Sequence, residues 1–318
     1  MNIVKNRYVY FLISLLVIIP GIVFMGLNWQ QTKVGPLKLG VDFRGGSLLE
    51  VQFAGTRPST EEIAKIYSDF STSDQPLADP IVQSLGADSF SIRSKTMTDE
   101  TKGLIIAEME TRFKSKATVL NFTSVSASVG AEVTRAAGFA ILAAAAAILA
   151  YIWWAFRSVE HAYRYGTAAI IAMLHDVLVV VGVEAMLGYF LGWEADALFL
   201  TALLTVIGFS VHDTIVVFDR VRENSSTYRR VEYEKMVNHS IVQTLDRSIT
   251  TQLTVMFTLF ALVLFGGDSI RHFVVILLIG IFSGTYSSIF NAAQILVVWE
   301  NHEWTTWFKR KETVSSIS

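Results

Sequence analysis

The sequence predicts an α-helical polytopic membrane protein with six transmembrane helices and one α+β domain inserted between the first two. Two observations predict this class: 52% of the 318 residues are hydrophobic, and long apolar stretches recur along the chain. A helix needs about 20 largely apolar residues to cross the hydrocarbon core of a bilayer. Six stretches meet this requirement: 9–27, 136–156, 166–187, 197–218, 248–265 and 272–299.

The first apolar stretch follows Lys5 and Arg7, a pattern that secretory signal peptides share. We expect an uncleaved span, because the stretch is longer than a typical signal core and no small-residue cleavage site follows Leu27. Lysine and arginine in short loops remain on the cytoplasmic side. The loops after spans two and four and the tail are rich in them, at Arg157, Arg164, Arg220, Arg222, Arg229, Arg230, Lys235, Lys309, Arg310 and Lys311. Residues 1–8 and 300–318 are therefore expected in the cytoplasm.

The segment 28–135 is mixed in charge and is expected to fold as an extracytoplasmic domain. Its pattern predicts a strand at 41–53 that is interrupted by Gly45 and Gly46, and then a helix at 60–70 with Thr60 at the N-cap. Two strands joined by a turn at 86–88, a second helix and a last strand follow, at 80–85, 89–95, 99–113 and 117–129. The order strand, helix, strand, strand, helix, strand is typical of a ferredoxin-like fold.

Ionisable residues at membrane depth are costly, so each is a functional candidate. Spans three and four contain His175, Asp176, His212 and Asp213, whereas Glu184 lies nearer the outer surface and is expected to reach the headgroups. In span four a stripe at helical spacing comprises Thr201, Thr205, Gly208 and His212. Asp213 borders this stripe and is expected to point into the bundle. The opposite side, with Leu203, Ile207 and Val217, is expected to face lipid.

Arg247 begins span five at about the depth of Asp213, so an ion pair between the two side chains is geometrically reasonable. Three interpretations stay open. The polar groups hold helices together, or Asp213 binds and releases a proton with Arg247 or His212 setting its affinity, or Arg247 snorkels to the interface. In span six, Gly280, Gly284 and Ser288 form a small-residue stripe typical of close helix packing.

Several function classes lack support. The chain has no cysteine, which excludes disulfides, thiolate metal sites and cysteine nucleophiles. Its net charge of −2 and scattered basic residues give no nucleic-acid footprint. Without a P-loop, a nucleophile elbow or a paired-histidine zinc motif, we expect neither an enzyme nor a bound cofactor or metal.

Six segments resemble, in order, motifs of the SecF family of bacterial protein-export subunits. They are 40–46 (Gly-Val-Asp-Phe-Arg-Gly-Gly), 128–132, 174–177, 213–224, 244–249 and 283–288. The first contains Asp42, Phe43, Gly45 and Gly46, and Phe43 stands where the related SecD subunit usually has leucine. Either the two glycines form a hinge at the base of the soluble domain, or they form a bulge or close contact needed for folding. Asp42 could equally cap a turn.

The resemblance implies half of a twelve-span resistance-nodulation-division bundle in the bacterial inner membrane, with SecD as the other half. It implies that the proton gradient drives late export of unfolded preproteins through SecYEG, with SecA supplying the ATP-driven steps and YajC as a further partner. The family's proton-linked carboxylate and arginine fall on Asp213 and Arg247. His212 departs from the smaller polar residue expected there, and its imidazole could share the proton. The alternatives are a half-transporter for a small molecule or lipid, and a structural scaffold.

Overall fold

The computed structural model describes residues 1–33, 35–55, 57–73, 76–77, 80–85, 88–157 and 161–305. Gly86 and Ala87 of the predicted turn, and the basic residues 309–311, lie outside these ranges. Within them the helices and strands are α1 (Arg7–Thr32), α2 (Val41–Arg44), β1 (Gly46–Phe53), α3 (Thr60–Asp69), β2 (Ile81–Ser84), β3 (Ser89–Ser94), α4 (Asp99–Phe113), β4 (Ala117–Val125), α5 (Ala127–Phe156), α6 (Ala162–Leu191), α7 (Ala197–Thr227), α8 (Tyr233–Phe265), α9 (Asp268–Ser287) and α10 (Ala293–Glu300). A π-helical turn, Ser288–Ala292, joins the last two helices.

The prediction of six membrane-spanning helices is confirmed. The candidate spans are Val4–Thr32, Ala127–Phe156, Ala162–Leu191, Ala197–Thr227, Tyr233–Phe265 and Ile270–Glu300. Every helix is longer than the apolar stretch that predicted it, because backbone hydrogen bonding continues into polar flanking residues that hydropathy alone does not count. The difference is largest for α8, which begins 15 residues before its predicted start (248 − 233).

The chain divides into two compact units, one comprising 38–141 and 194–200 and the other comprising 1–37, 142–193 and 201–318. The first contains an antiparallel sheet of order β2-β3-β1-β4. This order, with α3 and α4 between the strands in sequence, is ferredoxin-like, as predicted. Its core is formed by the alternate residues Leu49, Val51 and Phe53 of β1 together with buried side chains of β3, α3 and α4. One face of the sheet therefore supplies the core.

Three local predictions for this unit were wrong. The predicted strand 41–53 begins only at Gly46, because Val41–Arg44 forms a helical turn that ends at Gly45 with a φ of 76°. The N-cap of α3 is Ser59 rather than Thr60, since Ser59 and Glu62 form a reciprocal capping box. The last strand ends at Val125 instead of 129, because α5 has already begun at Ala127.

In the second unit, small residues let α1 pack closely on α6. A Cβ added at Gly21 would lie 2.7 Å from the Cα of Gly182, a distance that real Cβ atoms do not adopt. Further along this contact, the Asn28 Nδ2 donates to the carbonyl oxygen of Ala185 at 2.8 Å. Close approach and hydrogen bonding of polar side chains are the main forces available between helices in a bilayer, where apolar burial contributes little.

Candidate functional site

The Asp176 carboxylate lies at the centre of the helical unit and is completely buried. Its oxygens accept hydrogen bonds from Ser210 of α7 at 2.5 Å, and from Ser283 and Ser287 of α9 at 2.7 Å and 2.6 Å. The Nδ1 of His175 lies 2.9 Å from Oδ1. Four contacts match the roughly four lone-pair positions of a carboxylate. Asp176 therefore joins α6, α7 and α9 with its hydrogen-bonding capacity filled.

Asp213 has a different environment, although it is also buried, with 4% exposure. It accepts a hydrogen bond from the Gln252 side chain of α8, the one donor that the described residues supply to it. The Gln252 Oε1 is itself buried without a hydrogen-bond partner among the described residues. Asp213 therefore accepts fewer hydrogen bonds from the described residues than Asp176 does.

The predicted orientation of α7 was partly wrong. Asp213 does point inward, but Leu203, Ile207 and Val217 are 4%, 3% and 0% exposed, so this apolar side packs inside the unit. The stripe with Gly208 and His212 is exposed. Apolar side chains pack against other helices as readily as against lipid, so hydropathy did not distinguish the two sides.

Arg247 is exposed, and no ion pair joins it to Asp213 among the residues that the structure describes. The predicted pair is therefore wrong for this structure. Gln252 lies five positions after Arg247, which corresponds to about 140° around an α-helix. The phase of α8 directs Gln252 rather than Arg247 toward Asp213.

His175 and Glu184 are two further ionisable groups in span three, and the prediction for Glu184 needs correction. His175 packs its ring on Tyr286, with 6.2 Å between ring centroids, and its Nε2 is buried with no hydrogen-bond partner from the described ranges. Glu184 is 1% exposed, so the expectation that it reaches the headgroups was wrong. Instead a 2.8 Å hydrogen bond joins it to His272 of α9, whose ring packs on Trp193.

Within the described residues, no group of three or more His, Cys, Asp or Glu side chains could hold a metal ion.

The double-glycine motif contacts the first residues of two long helices. Gly45 and Gly46 have φ values of 76° and 126°. A Cβ at Gly45 would lie 2.6 Å from the Cα of Ala127 in α5, and one at Gly46 would lie 2.7 Å from the carbonyl oxygen of Ser94. Asp42 Oδ2 accepts from the backbone N–H of Ala197 at 3.0 Å and so caps the start of α7. This geometry favours the close-contact interpretation over a hinge. Phe43 contributes its carbonyl oxygen, which accepts from Thr134 Oγ1 at 3.0 Å.

The small residues of span six lie against α6 and α7. Gly280 faces Val206 and Val180, and a Cβ at Gly284 would lie 3.2 Å from the Cα of Ser210. Ser288 is completely buried at the start of the π-helical turn. The close approach at Gly284 brings α9 near enough for Ser283 and Ser287 to reach Asp176.

Comparison with known proteins covers nearly the whole chain. The family profile described as "Protein export membrane protein SecD/SecF, C-terminal" matches residues 105–302, and "SecD/SecF GG Motif" matches residues 34–56. The protein translocase subunit SecF of Anaerolinea thermophila is 50% identical over 312 residues, which are 98% of this chain and 97% of that protein. This chain belongs to the SecF family.

Other SecF-family relatives agree. The SecF subunit of Thermobaculum terrenum is 47% identical, with 98% of each chain covered. The single-chain SecDF of Thermus thermophilus is 38% identical over 214 residues, which are 67% of this chain and 27% of that protein. The crystal structure of SecDF, a translocon-associated membrane protein from the same organism, matches 95% of this chain with a TM-score of 0.77 and 29% identity. This chain covers 39% of that SecDF chain, and the likeness confirms the predicted half-bundle fold class.

The sequence identified Asp176 and Asp213 but not the groups that bind them. Gln252, Ser210, Ser283 and Ser287 are uncharged and occur at membrane depth, where serine is common, so composition did not single them out. The available signal was helical phase, since Gln252 shares the buried side of α8 with Ser248 and Thr244.

Proposed function

We propose that this SecF-family chain binds and releases a proton at Asp213, and so couples the proton gradient to late steps of preprotein export. The observation that supports this proposal is the buried Asp213 carboxylate, to which the described residues supply one hydrogen-bond donor. Three serine hydroxyls donate to Asp176, and the Nδ1 of His175 also lies 2.9 Å from it. Moving one charge through the membrane field yields roughly 2.3 kcal/mol per 100 mV. That energy is enough to bias a two-state conformational equilibrium.

The bacterial inner membrane, with both termini in the cytoplasm, is part of the proposal. Four segments that the charge rule assigns to the cytoplasm make contact within the helical unit. Arg7 pairs with Glu303 at 2.5 Å and with Glu234 at 3.3 Å, and Arg164 pairs with Glu300. These contacts support placing the N-terminus, the loops after spans two and four and the end of span six on one side.

SecD is the proposed direct partner, because relatives of this chain include single proteins named SecDF. The exposed His212 and Arg247 support this, since charged or polar groups on transmembrane helices are costly in lipid and normally face protein or water. SecYEG, SecA and YajC are proposed as further members of the assembly, and an unfolded preprotein as the substrate. No catalytic step is proposed. The relatives are named as translocase subunits, which supports export of proteins over the half-transporter alternative.

The test is Asp213→Asn in the complex with SecD. Proton-gradient-dependent completion of preprotein export in inverted membrane vesicles should be lost, because the amide cannot bind and release a proton at this position. Co-purification of SecD in mild detergent should be retained. Asp99→Asn, the same change at an exposed position of α4, is the matched control and should export normally. Undiminished export by Asp213→Asn would contradict the proposal.

A further inference from the structure

A row of polar side chains runs along the buried side of α8. Ser240, Thr244, Ser248 and Gln252 recur at four-residue intervals and are 0%, 6%, 4% and 3% exposed. Four-residue spacing places them on one side of the helix, turn above turn, over about 18 Å. We call these four residues the α8 polar row.

Three side-chain hydrogen bonds, one at one end and two at the other, fix the register of this row against α7. At one end Gln252 donates to Asp213, and at the other end the Asn224 Nδ2 donates to Ser240 Oγ at 2.8 Å and to Gln243 Oε1 at 2.9 Å. From one end of the row to the other the contacting position rises from 213 to 224 in α7 and falls from 252 to 240 in α8, as expected for antiparallel helices.

The register places apolar residues of α7 opposite the middle of the row. Val217 and Val221 follow Asp213 at four-residue intervals, before Asn224 is reached, and both are completely buried. Along this contact between α7 and α8, which we call the seam, α8 therefore contributes hydroxyl groups and α7 contributes valine side chains. The α8 polar row thus extends from Asp213 to the end of α7 that carries the arginines.

Unpartnered buried atoms of the α8 polar row indicate that water occupies this seam. The Ser248 Oγ and the Gln252 Oε1, one helical turn apart, are both buried without a hydrogen-bond partner in the part of the chain that the structure describes. Buried polar atoms of this kind are rare, and most are satisfied by protein or by ordered water. These two buried oxygens, one of which belongs to the residue that binds Asp213, are polar partners of the kind that a buried water molecule needs.

We propose that the α8 polar row is the proton-release path between Asp213 and the cytoplasmic ends of α7 and α8. This inference rests on the proposed function of Asp213. The O–H bond of the protonated carboxyl breaks, and its proton passes to a water held by Ser248 and Gln252. That water gives up a proton toward Thr244 and Ser240, and solvent beyond Asn224 receives it. Asp213 is left as a carboxylate, and no other bond changes.

Water access is tested by single cysteines, because the chain contains none. In inverted vesicles that hold the chain with SecD, a small membrane-impermeant methanethiosulfonate should label Ser248→Cys and Thr244→Cys. Leu259 is buried on the same side of α8, two turns beyond Gln252, and Leu259→Cys should stay unlabelled. Absence of label at both positions 244 and 248, or equal labelling at position 259, would overturn the path.

Proton transfer is tested by removing hydroxyls while keeping shape. Thr244→Val and Ser248→Ala should slow proton-driven export several-fold, and Thr244→Ser, which keeps the hydroxyl, should restore the rate. Thr167→Val is the matched control, since Thr167 also bonds to the carbonyl four residues earlier in a membrane helix but lies outside the seam. If Asp213→Asn abolishes export while Thr244→Val and Ser248→Ala do not slow it, the path alone fails. If Asp213→Asn exports normally, the proposed function fails.

Discussion

At Gly46 both the backbone conformation and the lack of surrounding space disfavour any residue with a Cβ. Its φ of 126° lies in a region that residues with a Cβ rarely adopt, and a Cβ would lie 2.7 Å from the Ser94 carbonyl oxygen. Because that oxygen belongs to the backbone of β3, it cannot move aside as a flexible side chain would. The sequence singled out this glycine by its motif, and the structure supplies the physical reason for it.

Gly46→Ala should therefore destabilise the unit that contains the sheet, residues 38–141 and 194–200, by about 1–3 kcal/mol. This is the usual cost of a residue held in a disfavoured backbone conformation. Gly103→Ala is the matched control, since Gly103 lies inside α4 and no atom of the described residues lies within 4 Å of the position that its Cβ would take. It should stabilise by about 0.5–1 kcal/mol. Apparent unfolding temperatures of the full-length chain in detergent would measure both effects, and equal shifts in the two variants would contradict the argument.

Among the secondary-structure elements, α3 shows a charge-dependent cap. The backbone N–H of Ser59 and then its hydroxyl donate to the Glu62 carboxylate, and these bonds hold the pKa of Glu62 below its ordinary value. A carboxyl whose pKa is lower in the folded state stabilises the fold above its unfolded pKa. That stability is lost as the pH falls through the folded value.

Glu62→Gln should thus reduce the loss of stability at low pH of the unit that contains the sheet. The wild-type chain should lose more stability than the variant as the pH falls from neutral to below about 4, the range in which an unfolded glutamate protonates. Glu61→Gln is the control, because Glu61 is likewise exposed in the first turn of α3 but lies outside the capping box. Apparent unfolding temperatures across this pH range provide the measurement. An unchanged pH profile for Glu62→Gln would rule out the cap as its source.

The accuracy of sequence reasoning varied between elements for physical reasons. The bounds predicted for α4 match Asp99–Phe113, because Thr98 is a capping residue immediately before the helical pattern begins. The phase of α7 and α8 was harder to predict. In a bilayer both the lipid-facing and the packed sides of a helix are apolar, so Leu203 and Ile207 gave no direction. Polar residues were expected to face inward, whereas His212 and Arg247 lie on the exposed surface of this chain.

On the scale of the whole molecule, α8 has two exposed sides with different chemistry. One side is apolar and includes Ile249, Leu253, Phe257 and Phe260, which are 41%, 41%, 67% and 52% exposed. The other side follows Arg247 with a stripe of exposed threonines, Thr250, Thr251, Thr254 and Thr258. Lipid suits the first side. The second is expected to be covered by the helices of a partner, which we propose to be SecD.

Bulky substitutions on these two sides should therefore have different effects on assembly. Thr254→Trp places a large ring on the polar side and should abolish co-purification of SecD in mild detergent, because a close helix contact cannot accommodate it. Leu253→Trp makes the same addition at the neighbouring position on the apolar side, where lipid or detergent accommodates the ring, and SecD should be retained. Both variants should reach normal levels in the membrane, which separates loss of binding from loss of folding. If SecD co-purifies equally with both variants, the polar side of α8 is not the surface that it covers.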